Sequence, residues 1–501
     1  MNKKASILDQ EIFLFRMSFS LDGNPSSIQK DSGRAGMTNW IPCCLPRHVI
    51  SLKLILMIAG FVLLLMSCAS VQTSQEWEKV KTFAAEHTGV ETHWEQTEED
   101  AKVTKEEVNK LLSDGLTEEN AVRIAFLNDP KLQAFFEEIA ISKADLVQAG
   151  LFSNPDLSAV FRFPYGGGDA DIEAVGAFKI SDFWQIPLRK KVASARLEAT
   201  MLKVSEEILN TMAEARHAHN EYVALFQIRK ETENRKKQME ELRDHLLYRQ
   251  KFGFTKDIDI YMADAAVLDL EAEIGRIKRD LEVARLRLNR ILGLSPEQSG
   301  YEVTGKLPDQ FRPIPDSETL IAHAFSTRPD LQIAKRQIEE SRQVLALERR
   351  RIFKDVEAGI AYARDTEGTD FLGPEVRIPL PIFDQNQAQI SKAEYKVRHA
   401  EKELQNKIGI IREEVSSAFE VVTLARKEVG LIRDQILPIR KSAVEYADKY
   451  FNAMQLNMLY LLEARQKLIE TTRRYLEALR DHRNQEIELE RILGSKIPLP
   501  K

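Results

Sequence analysis

From Ile408 onward the residues Ile408, Ile411, Val415, Ala418, Val422, Ala425, Val429, Ile432, Ile436 and Ile439 recur at alternating spacings of three and four. A second run, Leu197, Met201, Val204, Ile208, Thr211, Ala215, Ala218, Tyr222 and Leu225, keeps the same rhythm. That alternation is the seam of a coiled coil. A helix over 189–251, at 1.5 Å per residue, is roughly 95 Å long, several times the width of an ordinary domain core. Such a helix must pack against partner helices in an elongated bundle. The chain has 22 glycines and 18 prolines in 501 residues, few enough for most of it to be helical. Pro438 falls inside the second run and is predicted to kink it rather than to serve any chemistry.

The plan is used twice. AFLNDPKLQ at 125–133 returns as AFSTRPDLQ at 324–332, and LNRILGL at 288–294 returns as LERILGS at 489–495. Between these anchors each half has a helix, a patch of alternating residues, a very long helix, a break and a closing helix. In the first half, Thr117 is the predicted cap of a helix running past Pro130 to about Ala149. Alternation then predicts strands over 155–163 and 171–180 around Tyr165-Gly166-Gly167-Gly168, and over 355–364 and 371–379 in the second half. Two strands per half are too few to stand alone, and nine or ten residues is the length of a transmembrane β-strand. The segments expected are a leader over 1–67, an N-terminal segment over 68–115, a first repeat over 116–295, a linker over 296–316, a second repeat over 317–495 and a tail over 496–501.

Charged residues make up 30% of the chain, the net charge is −6, and no basic face stands out, which argues against nucleic acid as a partner. The cysteines are Cys43, Cys44 and Cys68, which rules out a disulfide framework or a four-cysteine metal site in the body of the chain. Residues 54–66 are apolar but too few to span a bilayer as a helix. Arg47, His48 and Lys53 precede them and small residues follow, which is the anatomy of a signal peptide. The exit Leu65-Met66-Ser67-Cys68 resembles the lipobox of bacterial lipoproteins. The resemblance implies cleavage before Cys68, acylation of that cysteine and, with Ala69 rather than aspartate next, delivery to the outer membrane. The leader is long for a signal peptide, and a start at Met37 or later accounts for it.

LTEENAVRIAFLNDPKLQ, LVQAGLFSNPDLSA, VRIPLPIFDQNQAQISKA and YFNAMQLNMLYLLEARQ resemble the TolC-type outer membrane efflux channels, and the likeness extends over 116–493. The run Pro-Ile-Phe-Asp-Gln-Asn-Gln leans toward their heavy-metal efflux branch. The resemblance implies a mainly α fold with a small membrane β-barrel, in which three protomers each lend four strands. It implies a homotrimer with a periplasmic adaptor and an inner-membrane pump as partners, and outer membrane lipid around it. It also places a periplasmic aperture at the hairpin tips. Here the first tip turns at Gly253, followed by Lys256, Asp257 and Asp259, with Asp264 one turn on. Threefold symmetry would make rings of these carboxylates; they also suit a helix N-terminus, where aspartate is common. In the second tip Met454 stands where glycine is usual, and Gln455 and Tyr460 are the aperture candidates. Gly253, Lys256 and Met454 are the candidate tip-turn and adaptor contacts.

His217 and His219 lie two apart on a helix and point to different faces, so no metal site is expected there. His87 and His93 fall in a polar stretch and are expected to be solvated. No phosphate loop, nucleophile elbow or HExxH motif appears, so neither an enzyme nor a bound cofactor is expected. The competing reading is a periplasmic coiled-coil adaptor or scaffold lipoprotein. An adaptor has one hairpin beside a β-rich domain, whereas two hairpins and two strand pairs are read here.

Overall fold

The computed structural model describes residues 70–499. The apolar run, its basic approach and the lipidation expected at Cys68 lie outside the described residues. Those described contain α1 (Ser74–Thr88), α2 (Glu98–Ser113), α3 (Glu118–Asn128), α4 (Pro130–Ala149), β1 (Asp156–Arg162), β2 (Asp171–Lys179), α5 (Asp182–Gln250) and α6 (Asp257–Ile291). After the linker come α7 (Ser317–Thr327), α8 (Pro329–Arg350), β3 (Glu357–Arg364), β4 (Asp370–Arg377), α9 (Gln387–Leu431), α10 (Leu437–Asn452) and α11 (Met458–Leu493). The order helix, helix, strand, strand, long helix, returning helix thus occurs twice. No helix among the described residues is long and apolar enough to cross a membrane.

The helix expected to run past Pro130 is two helices. Asp129 takes an extended ψ of 114°, as a residue before proline prefers, and its carboxylate accepts the Lys131 N–H, so α4 starts with Pro130 in its first turn. The long first-half helix begins at Asp182, seven residues earlier than expected, and accommodates Pro187 within its second turn. At 69 residues α5 is about 100 Å long.

Most of the α5 seam is buried, with Val204, Ile208 and Ala215 fully covered, but Met201, Tyr222 and Leu225 are only half-buried, and past Ala218 the covered positions are Val223 and Ala224. The second run behaves differently past its midpoint. Ile411, Val415, Val422, Val429 and Ile432 are buried, but Ile439 is 68% exposed. The cause is a π-turn over Ile432–Ile436, in which the Leu437 N–H reaches the Ile432 carbonyl. Pro438 has no N–H for the Asp434 carbonyl and its ring would clash there, so the helix widens one turn earlier. The extra residue moves the seam to Leu437, Ala447 and Phe451, all buried.

The N-terminal segment is less peripheral than its polarity suggests. Val80, Ala84, Trp94, Val108 and Leu112 of this segment join Phe126, Phe136, Val204, Ile208 and Leu288 in the largest core. Trp77 stacks edge-on to Phe136 at 4.9 Å, and His87, expected to be solvated, stacks on Phe83 at 4.0 Å. A second core joins α7, α8, α9 and α11 around Leu320, Leu331, Val415 and Leu489.

Candidate functional site

The four strands form one antiparallel sheet in the order β1-β2-β3-β4, so the two halves of the chain share it and β1 and β4 are its open edges. Its register sorts the side chains by face. Phe161 stands beside Ile172, Ala174 beside Ala159 and Tyr362, and Ile360 beside Gly176 and Pro374. With Leu157, Phe178, Leu372 and Val376 these make one face almost wholly apolar, and its residues are exposed: Leu157 by 83%, Ile360 by 62% and Leu372 by 76%. The opposite face carries the charges. Arg162 bridges Asp171 at 2.9 Å and Glu173 at 3.1 Å, and Arg377 bridges Glu357 at 3.0 Å and Glu375 at 3.1 Å. A sheet with an exposed oily face and a half-covered ionic face has the pattern of strands that lie between hydrocarbon and water.

At the far ends of the long helices the two tips pack together. Leu242, Leu246, Ile260 and Ala263 from the first hairpin share one apolar cluster with Ala447, Phe451, Met458 and Leu461 from the second. The Arg249 guanidinium lies 5.2 Å from the Phe451 ring centre and ties the hairpins across that contact. A groove of about 450 Å³ between them is lined by His245, Asp448, Phe451 and Arg465 among others.

Both turns have the same hydrogen-bond pattern. The Phe254 N–H reaches the Arg249 carbonyl at 3.1 Å, and the Gln455 N–H reaches the Tyr450 carbonyl at 2.9 Å. The residue before each donor is left-handed: Gly253 with φ 72° and Met454 with φ 56°. Met454 therefore occupies the glycine position of this turn, at the steric cost that a β-carbon incurs there.

The structure brings the candidate aperture residues to one end of the molecule, each with a definite local role. Asp259 accepts the Lys256 backbone N–H at 3.4 Å, and so caps α6. Asp257 accepts from Gln250 Nε2 at 2.6 Å across the turn. Asp264 lies 3.9 Å from Arg243 on the facing helix. Gln455, Tyr460 and Lys256 are exposed. What went unread in the tip sequences is their apolar surface. Phe252, Phe254, Ile258, Tyr261, Met454 and Leu459 are each more than half exposed. The signal was there, in apolar residues clustered at a turn where polar ones are the rule.

Midway along the bundle α5 and α11 are joined by buried charge. Arg216 donates to both Glu118 and Glu490, while Arg483 reaches Glu118 and Glu486. Burial would lift the Glu118 carboxyl, yet the guanidiniums of Arg216 and Arg483 hold it below its usual range. His219 is buried against the Leu116 carbonyl at 3.2 Å, and burial lowers its affinity for a proton. Among the described residues no group of three or more His, Cys, Asp or Glu is placed to hold a metal ion.

Comparison with known proteins agrees with this geometry. Residues 320–495 match the family described as Outer membrane efflux protein. The cobalt-zinc-cadmium resistance protein CzcC of Cupriavidus metallidurans is 26% identical over 245 residues, an alignment that takes in 48% of this chain and 57% of that relative. Among solved structures the outer-membrane channel OprN superposes with a TM-score of 0.65 at 17% identity, covering 77% of this chain and 91% of its own. The outer membrane protein VceC of Vibrio cholerae superposes with a TM-score of 0.63 at 16% identity, covering 76% and 97%. At such identities the structures establish the fold, mostly helical with one small antiparallel sheet. The structural neighbours are outer-membrane proteins, OprN by name a channel.

Proposed function

We propose that this chain is an outer membrane efflux protein and works as a passive trimeric duct, the outer-membrane component of a tripartite efflux or type I secretion system. The observation that carries the reading is the two-faced sheet with two open edges. Four strands cannot close on themselves, but three copies edge to edge give twelve, with apolar faces toward lipid and ionic faces toward an aqueous lumen. The helices then continue the wall about 100 Å into the periplasm. Their tips present exposed aromatic residues to an adaptor and, through it, to an inner-membrane pump. The chain performs no chemistry of its own in this reading, and acylation of Cys68 adds a lipid anchor to the barrel. Cobalt, zinc and cadmium, the metals in the relative's name, are the cargo to test first.

Neighbouring positions on β3 test the reading. Ile360 lies on the apolar face and Ala361 on the ionic one. Ile360→Arg should cost about 2–4 kcal/mol in the bilayer and block assembly in the outer membrane. Ala361→Arg should assemble and lower cation conductance in planar bilayers. Equal behaviour of the two variants overturns the barrel. Epitopes in the turns at 166–168 and 365–370 should be reached by antibody on intact cells. Mass spectrometry should find acyl groups on Cys68 at the mature N-terminus, and an unmodified terminus elsewhere would remove the anchor.

A further inference from the structure

The linker between the halves crosses the bundle at the π-turn. Leu307 is buried with Val223, Ala224, Val429 and Leu479, which seats the linker against α5, α9 and α11. Just beyond it, Arg426 donates to the Arg312 carbonyl at 3.0 Å, and Arg433, inside the π-turn, donates to the Asp309 carbonyl at 2.9 Å. Phe311 sits between those two anchors. The Arg426 guanidinium lies 5.1 Å from its ring centre and that of Arg433 5.5 Å. The buried imidazole of His482, on α11, packs tilted against the same ring at 4.4 Å. One aromatic side chain thus touches the helix before the π-turn, the π-turn itself and the returning helix.

A π-turn is a weak point in a long helix, because its wider hydrogen bonds and the carbonyl left without a donor by Pro438 resist bending less. Beyond it α10 and α11 run to the tip that carries Met454, Gln455 and Tyr460. We propose that the linker segment 309–312 is a clasp on this hinge: Phe311, Arg426 and Arg433 fix the angle between α9 and α10 against the unbroken α11, and releasing them lets the tip beyond α10 swing. The attraction is between cations and the face of an aromatic ring, reinforced by two charge-assisted bonds to linker carbonyls. That the swing alters the width of a duct rests on the function proposed above; the clasp itself does not.

Hydrogen exchange followed by mass spectrometry on the full chain in detergent tests it. With Phe311→Ala, amides over 429–441 should exchange roughly tenfold faster, the loss expected for two cation–π contacts on a local opening. Amides of α3 and α4 should keep their wild-type rates. Phe311→Leu, which fills space without a ring face, should behave like the alanine variant, and Phe311→Tyr like the wild type. The pair Arg426→Gln with Arg433→Gln should reproduce the effect with the ring in place. Unchanged exchange at 429–441, a uniform rise that includes α3 and α4, or a leucine variant as protected as the wild type overturns the clasp. Absence of conductance in the wild-type chain would sink the duct while leaving these exchange results standing.

Discussion

Asn128 and Gly293 lock the first half of the chain together across 165 residues. The Asn128 side-chain amide donates to the Gly293 carbonyl at 2.8 Å and to the Leu292 carbonyl at 2.9 Å, satisfying the end of α6. Gly293 is left-handed, and a β-carbon there would stand 2.1 Å from the Asn128 carbonyl oxygen. In the second half Thr327 donates to the Leu493 carbonyl at 2.6 Å and Arg328 to the Ile492 carbonyl at 3.1 Å, beside the left-handed Gly494. The four anchor segments that recur in the sequence are therefore two docking pairs, each closing a returning helix onto the break before a proline.

Asn128→Ala should lower stability by about 1–2 kcal/mol, because it leaves two part-buried carbonyls at a helix end unsatisfied. Gly293→Ala should do more damage, since backbone must move and a left-handed conformation is forced on alanine. Thermal melts of the purified chain check the order. A Gly293→Ala variant as stable as the wild type would remove the packing argument.

The two tips offer a matched pair. Met454→Gly relieves a left-handed side chain and should stabilise the second tip by at most about 1 kcal/mol, after the greater freedom of glycine in the unfolded chain is set against it. Gly253→Ala should destabilise the first tip by about 1 kcal/mol. Local hydrogen exchange at each turn reads both, and exchange moving in the same direction for the two would refute the equivalence of the turns.

The parts of this fold most legible in the sequence are those set by local rules. The strands fall within a residue or two of where alternation puts them, because a half-exposed sheet keeps its period of two. The seam of α5 was readable as far as Ala218 because one face of a packed helix repeats every three or four residues. The slip at Ile439 was not, since it comes from the way a helix absorbs Pro438, and a spacing of three and four gives no sign of an inserted residue. The break at Asp129 was within reach, because a residue before proline avoids the helical region. Phe311 gave no local signal: its partners lie 115, 122 and 171 residues away, and only the fold brings them together. The tip carboxylates became candidates through the resemblance, while the cap made by Asp259 follows from where α6 starts.

Buried imidazoles make stability depend on pH. Burial lowers the proton affinity of His219, His217 and His482 in the folded chain, against an ordinary value of 6.5. As pH falls below 6.5 the unfolded chain takes up protons that the folded chain refuses, so folding loses free energy on acidification. Melting temperature should fall between pH 7.5 and 5, and His482→Gln should flatten part of that slope. Asp129 and Glu206, raised by burial, bind protons more readily when folded and act in the opposite sense at lower pH. The difference between wild-type and His482→Gln profiles isolates the imidazole; identical slopes would show that His482 does not titrate between the two states.

The tip carboxylates separate capping from gating. In one protomer Asp259 caps α6 through the Lys256 N–H and Asp257 holds Gln250, so each has a structural use before any threefold symmetry is considered. Removing a cap of this kind costs about 0.5–2 kcal/mol. In a trimer the same residues would form two rings of three carboxylates at a narrow end, where repulsion is relieved by bound cations. Asp257→Ala with Asp259→Ala should therefore lower thermal stability and also raise single-channel conductance, with weaker block by multivalent cations. Asp259→Asn keeps a side-chain oxygen for the Lys256 N–H while removing charge, so it should retain the wild-type melt and still relieve the block. If Asp259→Asn and the double alanine variant both leave conductance and block at wild-type values, these carboxylates cap a helix and do not line an aperture.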